Sequence, residues 1–158
     1  MSNPNKDVID VLNNLIEYSK DGEKGFKESA DDVKNTELKT FFVQRATACN
    51  QAAAELQAEV RHLGGDPETS TSLSGDIHRG WVNLKSMVTG KDEEAVLNEV
   101  ERGEDHALKA YKEAREKLVK LDNPNAQNAL TLVDRQLQGV QRNHDQVKAL
   151  RDAARARS

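Results

Sequence analysis

Aromatic residues are scarce in this chain of 158 residues, where they make up 4% of the sequence. Three prolines and nine glycines are too few to form the many turns of an all-β domain. No segment approaches the roughly 20 consecutive apolar residues that a membrane-spanning helix needs. The sequence therefore argues against a β-sandwich or barrel, and it predicts no membrane segment.

Cysteine and clustered basic charge are also limited. Cys49 is the single cysteine, which excludes an intrachain disulfide and a cysteine-based zinc site. The net charge is −4 and the pI is near 5.6, and the sequence has no basic run interleaved with aromatic residues of the kind that binds nucleic acid. The first residues contain neither the basic nor the apolar segment of a signal peptide. We therefore expect a cytoplasmic protein that binds neither nucleic acid nor a membrane.

Charged residues are abundant, at 32% of the chain, and apolar residues recur every three or four positions, as in long amphipathic helices. Capping residues, proline and glycine mark the predicted helix ends. The four long predicted helices run from Asn3-Pro4 to about Val33, from Asn35 to Leu63, from Asp92 to about Leu121, and from Asn123-Pro124 into the final DAARARS.

The links between these helices predict their topology. Short links join the first two helices and the last two, so each pair forms an antiparallel hairpin. The middle link, from Gly64 to Lys91, is long enough to return along the bundle, and it carries a short predicted helix from Leu73 to Val88. The predicted fold class is therefore all-α, a single domain over residues 1–158 with the connectivity of a ferritin-like four-helix bundle.

Four segments carry a resemblance to a known family: DVLNNLIEYSKDGEKGF, AAAELQAEVRHLGGDPE, HRGWVNLK and ERGEDHALKAYKEA. With them the chain resembles the ferritin-like four-helix-bundle superfamily and, within it, the bacterial family catalogued as domain of unknown function 2383. The superfamily implies iron storage or di-iron oxidation. Its metal ligands are a Glu from each of two helices and a Glu-x-x-His pair from each of the other two.

The chain contains one literal Glu-x-x-His, at Glu59 and His62. At about 100° per residue, His62 lies about 120° from the centre of its apolar stripe. We therefore expect Glu59 and His62 to be surface residues rather than metal ligands.

Polar residues interrupt the apolar stripes at a different height. Counted from the predicted helix ends, one polar residue of each long helix lies about 11 or 12 residues, or about 16 to 18 Å, from the same end of the bundle. This register predicts a buried polar layer of Glu23, Arg45, Glu104 and His144, with Gln141 one turn before His144.

The predicted layer has two interpretations. In the first, Arg45 supplies the positive charge that a metal would otherwise supply, and the protein is a non-enzymatic bundle with a degenerate metal centre and no cofactor. In the second, iron or manganese is held by Glu23, Glu104, His144 and Glu101 in a divergent metal-dependent oxidase or iron-handling protein. A di-iron centre needs about four carboxylates, and a buried guanidinium would repel its ions. The sequence therefore favours the first interpretation.

Two more expectations concern small and apolar residues. Small residues on the inner stripes predict a thinly packed middle that could hold a small ligand: Ser19, Gly22, Ala52 and Ala53. Apolar residues that lie off the main stripes predict a homodimer: Ile9, Ile16 and Leu150.

Overall fold

The computed structural model describes residues 3–69 and 93–157 of the chain. Within these ranges the regular structure consists of four α-helices and no strand, which confirms the all-α fold class. The short helix predicted between Leu73 and Val88 lies outside the described residues. The helices are α1 (Lys6–Asp32), α2 (Thr36–His62), α3 (Glu93–Lys120) and α4 (Asn125–Arg157).

The helix ends follow from local chemistry. Asn35 precedes α2, and its side chain accepts a hydrogen bond from the backbone N–H of Leu38 at 3.0 Å, which satisfies one of the free donors of the first turn. Gly64 follows α2 with a φ of 81°, a left-handed conformation that glycine adopts without steric cost. The predicted start and end of α2 are therefore correct.

The tripeptide Asn-Pro-Asn stands at the start of both α1 and α4, at residues 3–5 and 123–125. In each copy the side chain of the first Asn accepts a hydrogen bond from the backbone N–H of the third, at 2.8 Å for Asn3 and 2.9 Å for Asn123. This is an Asx turn, which fixes the chain direction at the helix start. We call the end of the bundle where α1 and α4 begin the base, and the opposite end the top.

The two turns meet at the base. The Asn5 side-chain oxygen accepts hydrogen bonds from the side-chain amides of Asn123 and Asn125, both at 3.0 Å. The Asn3 side-chain amide donates to the carbonyl of Leu63, at the end of α2, at 3.1 Å. This asparagine clasp (Asn3, Asn5, Asn123 and Asn125) joins the first hairpin, α1 and α2, to the second hairpin, α3 and α4.

The described residues form two buried apolar clusters. The lower cluster lies toward the base and is mainly aliphatic. The upper cluster lies toward the top and contains Phe26, Phe41 and Phe42, whose ring centroids are 5.7 to 6.5 Å apart. Representative members of the lower cluster are Val8, Leu12, Leu15, Leu56, Val60, Leu118 and Val133, and of the upper cluster Leu38, Val96, Leu97, Val100 and Val147.

The surface expected for a homodimer is corrected by the structure. Ile9 and Ile16 are 8% and 0% exposed and belong to the lower cluster, so they are not free to bind a second copy. The reason is that α1 contacts α3 and α4 as well as α2, which makes its buried stripe wider than contact with one helix requires. Leu150 is half-buried against the upper cluster. The homodimer itself stays a prediction.

No described helix is both long enough and apolar enough to cross a lipid bilayer.

Replacing Asn5 by Ala should lower the free energy of unfolding by about 1 to 3 kcal/mol, because it leaves the amides of Asn123 and Asn125 without their shared acceptor. Urea denaturation measures this change. The matched control is Asn128→Ala, which removes an exposed asparagine of α4 and should leave the stability equal or slightly higher. Equal losses in the two variants would contradict the role assigned to the asparagine clasp.

Candidate functional site in the polar layer

Arg45 of α2 and Glu104 of α3 form a buried ion pair between the two hairpins. The Nε and Nη2 atoms of Arg45 lie 3.1 and 3.0 Å from Oε1 of Glu104. The two side chains are 9% and 3% exposed. The guanidinium carbon also lies 5.4 Å from the centre of the Phe26 ring, a favourable position for a cation. The structure thus brings together two residues that lie 59 positions apart in the chain.

Arg45 and Glu104 carry opposite charges, and each loses favourable contact with water because it is buried. Burial opposes the charge of Arg45, yet the Glu104 carboxylate keeps the pKa of Arg45 above its usual value. Burial raises the pKa of Glu104, although Arg45 and His144 act in the opposite direction. Loss of water around the carboxylate therefore exceeds the attraction of the guanidinium, as is common for buried ion pairs.

A second polar contact lies beside this pair. The Tyr111 hydroxyl of α3 donates to Oε1 of Gln136 on α4 at 2.7 Å. The amide of Gln136 donates in turn to the carbonyl of Ala52 at 3.2 Å and to Oε1 of Glu55 at 3.1 Å, both on α2. Gln136 was not among the predicted site residues, although it stands three residues after Val133 and four before Val140 on the apolar stripe of α4.

His144 of α4 contacts two carboxylates of α3. Its Nε2 atom lies 2.6 Å from Oδ1 of Asp105 and 3.9 Å from Oε1 of Glu101. Glu101 also forms an ion pair with Arg151. We call Glu101, Asp105 and His144 the carboxylate–histidine triad. Glu101 and His144 were predicted site residues, but Asp105 was not, although it stands four residues after Glu101 and therefore on the same face of α3.

Two residues assigned to the buried layer lie elsewhere. Gln141 is exposed and donates to Asp145 at 3.2 Å, so its assignment was wrong. It follows the partly buried Val140 by one residue, and that rotation of about 100° turns it outward. Glu23 is half-buried and accepts a hydrogen bond from Asn50 at 2.5 Å, so it does not join Arg45 and Glu104.

His62 of the Glu-x-x-His pair is exposed, and Glu59 is half-buried. The exposure of His62 agrees with the surface position expected for it.

The donor atoms of the interior do not fit a di-iron centre. Such a centre uses about four carboxylates and two histidines that project inward. Within the described residues two carboxylates are buried: Glu104, whose partner is the cationic Arg45, and Asp21 of α1. Two ions placed here would lack ligands and would meet a guanidinium.

The carboxylate–histidine triad is a different donor set. Its three ligand atoms lie within 4.8 Å of one another, at the half-exposed contact between α3 and α4. An imidazole and two carboxylates could hold one divalent ion. Within the described residues, no other group of three His, Cys, Asp or Glu side chains is placed to do so.

A cleft of about 430 Å³ opens between the hairpins at the height of the Arg45–Glu104 pair. Ser19, Gly22 and Ala52, which the sequence analysis expected to leave the middle thinly packed, line it. Glu101, Asp105 and His144 do not, so the cleft and the triad are separate features.

Residues 7–117 match the family described as domain of unknown function (DUF2383). The chain belongs to this family. The DUF2383 match includes α1, α2 and most of α3, with Arg45, Glu104 and two members of the triad. None of the curated proteins compared with the chain matches it.

Solved structures with a similar fold are known. A ferritin-like diiron-carboxylate protein from Bacillus anthracis strain Ames superposes with a TM-score of 0.73 at 18% identity, over 95% of this chain and 99% of the other. The DPS protein from Vibrio cholerae O1, described as a member of a broad superfamily of ferritin-like diiron-carboxylate proteins, gives a TM-score of 0.71 at 14% identity, over 92% and 89%. At these identities the similarity establishes the ferritin-like fold of this DUF2383 chain and no more.

Replacing Arg45 alone by Met should lower the free energy of unfolding by about 3 to 5 kcal/mol, because Glu104 would remain buried without a counter-charge. The double variant Arg45→Met/Glu104→Leu should be close to the wild type or more stable, because it buries no charge. Urea denaturation of the three proteins tests both statements. A double variant as unstable as the single one would contradict the assignment of the cost to an unpaired charge.

The raised pKa of Glu104 predicts a pH dependence. Between its usual value of 4.5 and its raised value, Glu104 is protonated in the folded chain and ionised in the unfolded chain. The folded state then binds more protons, so the free energy of unfolding falls as pH rises through this interval.

Glu104→Gln removes this contribution. The difference in unfolding free energy, wild type minus Glu104→Gln, should therefore decrease as pH rises above the usual carboxyl value of 4.5 and then level off. Urea denaturation across this range measures it. A difference that increases with pH would show that Arg45 lowers the pKa of Glu104 more than burial raises it.

Proposed function

We propose that this DUF2383 protein is a non-enzymatic ferritin-like bundle with a structural, regulatory or partner-binding role. In this proposal an ion pair replaces the interior metal centre of the superfamily. The observation that carries it is the buried contact between Arg45 and Glu104, at 3.0 and 3.1 Å.

The charge balance of the interior supports this proposal. The Arg45 guanidinium neutralises Glu104 from within the protein, whereas a pair of iron ions would add about four positive charges that this layer cannot offset. The two nearest predicted ligands do not compensate, because Glu23 is bound to Asn50 and His144 faces Asp105.

The thiol of Cys49 offers little reactivity. Burial raises its pKa to about 11, so at neutral pH almost none of it is the nucleophilic thiolate. Covalent catalysis by Cys49 is therefore not part of the proposal.

A second candidate function rests on the carboxylate–histidine triad. Its donor set suits a single divalent ion such as iron or manganese, and both solved structures above are described as diiron-carboxylate proteins. The second candidate is therefore a divergent metal-dependent oxidase or iron-handling protein. Glu101, Asp105 and His144 would hold the ion in place of the predicted set with Glu23 and Glu104. The Arg151 pair to Glu101 competes with the ion, which favours the first proposal.

Metal analysis of untagged protein from cells grown with iron and manganese separates the two functions. The first predicts well below about one ion per chain, and the second predicts about one. In the second case His144→Ala should abolish the bound metal, while His62→Ala, which removes an exposed histidine, should not. About two ions per chain that survive His144→Ala would overturn both proposals, because they would require interior ligands.

A further inference from the structure

We propose that the cleft between the hairpins binds a small, neutral and mostly apolar molecule with one hydroxyl or amide donor, and that Glu104 accepts a hydrogen bond from it. Such a ligand goes beyond the proposed function, and its binding does not depend on whether the triad holds an ion. The cleft volume of about 430 Å³ lies within the range of small-molecule sites.

The unsatisfied atom is on Glu104. The hydrogen bond from Nε of Arg45 and the ion-pair contact from Nη2 both go to Oε1, and Oε2 is buried with no hydrogen-bond partner among the described residues. Glu104 is 3% exposed and lines the cleft. Buried polar atoms nearly always have a partner, and Glu104 stands in the wall of the cleft, so the proposal gives Oε2 its missing donor from the ligand.

Two glycines of the second hairpin line the cleft. Gly103 and Gly139 stand inside α3 and α4 and line the cleft, although glycine disfavours a helix interior. A Cβ atom at Gly103 would have no neighbour within 4 Å, and one at Gly139 would meet only Nη2 of Arg142, at 3.7 Å. Packing therefore does not require either glycine, and the space beside them is available to a ligand.

Gly22 provides the contrast. A Cβ atom there would lie 2.8 Å from Sγ of Cys49, so the close approach of α1 and α2 explains this glycine. Open space next to a glycine is therefore found on the side of the cleft formed by the second hairpin, at Gly103 and Gly139, and not at Gly22 of the first hairpin.

The charges of the cleft favour a neutral ligand. Apart from Arg142, the Arg and Glu side chains that line it form ion pairs with each other, and an ionised ligand would compete with these pairs. These pairs are Arg45 with Glu104, Arg135 with Glu55 at 2.6 Å, and Arg102 with Glu99 at 3.6 Å. Small apolar residues such as Ala48, Ala52 and Ala107 also line the cleft, which suits an apolar body.

Titration calorimetry of the full chain with matched probes tests the ligand class. 1-Octanol has the donor, and heptyl methyl ether has the same number of heavy atoms without it. Octanol should bind about tenfold more tightly than the ether, and more tightly than octanoate or octylamine, which are charged at neutral pH. Equal affinities for octanol and the ether would overturn the hydrogen bond to Glu104, and no binding of either would show that the cleft holds solvent only.

Substitutions in the wall of the cleft test where the ligand binds. Gly139→Leu and Gly103→Leu should each weaken octanol binding by about tenfold or more, because the added side chain fills the cleft. Ala149→Leu, at an exposed position of α4, is the matched control and should bind as the wild type does. Circular dichroism checks that each variant is folded, which is expected because leucine favours helix over glycine. Unchanged binding in both glycine variants would overturn the assignment to this cleft.

A further variant separates the donor contact from the cavity. In Arg45→Met/Glu104→Leu the cleft loses the Glu104 acceptor together with its ion-pair partner, so octanol and the ether should bind with equal affinity. A preference for octanol that survives in this variant would show that another group accepts the hydrogen bond.

Discussion

A buried charge needs a counter-charge next to it, and in this bundle that requirement links the two hairpins. Arg45 comes from α2 and Glu104 from α3, so the pair forms only when the hairpins pack at one relative height. The same height then places Tyr111 opposite Gln136 and Asp105 opposite His144. The contacts of the polar layer, the cleft beside them and the division of the apolar core into two clusters all depend on that packing.

The Arg45–Glu104 pair is better explained by its effect on how the two hairpins align than by a gain in the stability of the fold. Burial raises the pKa of Glu104 despite the adjacent guanidinium, so the carboxylate is less well solvated in the fold than in water. An apolar layer would be as stable or more so. What an apolar layer would not provide is a fixed height of one hairpin against the other, or a hydrogen-bonding group at the wall of the cleft.

The sequence predicted distances along the helices better than rotations about them. Helix ends depend on local residues such as Asn35 and Gly64, and heights follow from a constant rise per residue. The approach of Arg45 and Glu104 could therefore be predicted by counting. Rotation depends on which helices lie alongside, and an error of one residue turns a side chain by about 100°. This explains why Gln141 was assigned to the interior and Ile16 to the surface, and why Asp105 was missed although His144 was expected.

The two apolar clusters have a consequence for how the bundle opens. Each cluster is a buried unit of its own, and between them lie polar contacts and a partly empty cleft. Separate buried units of this kind can unfold one at a time. Loosening of the phenylalanine-containing half would bring the middle of the bundle into contact with solvent while the asparagine-bound half stayed closed. Molecules could then exchange with the interior without passage through the fully unfolded chain.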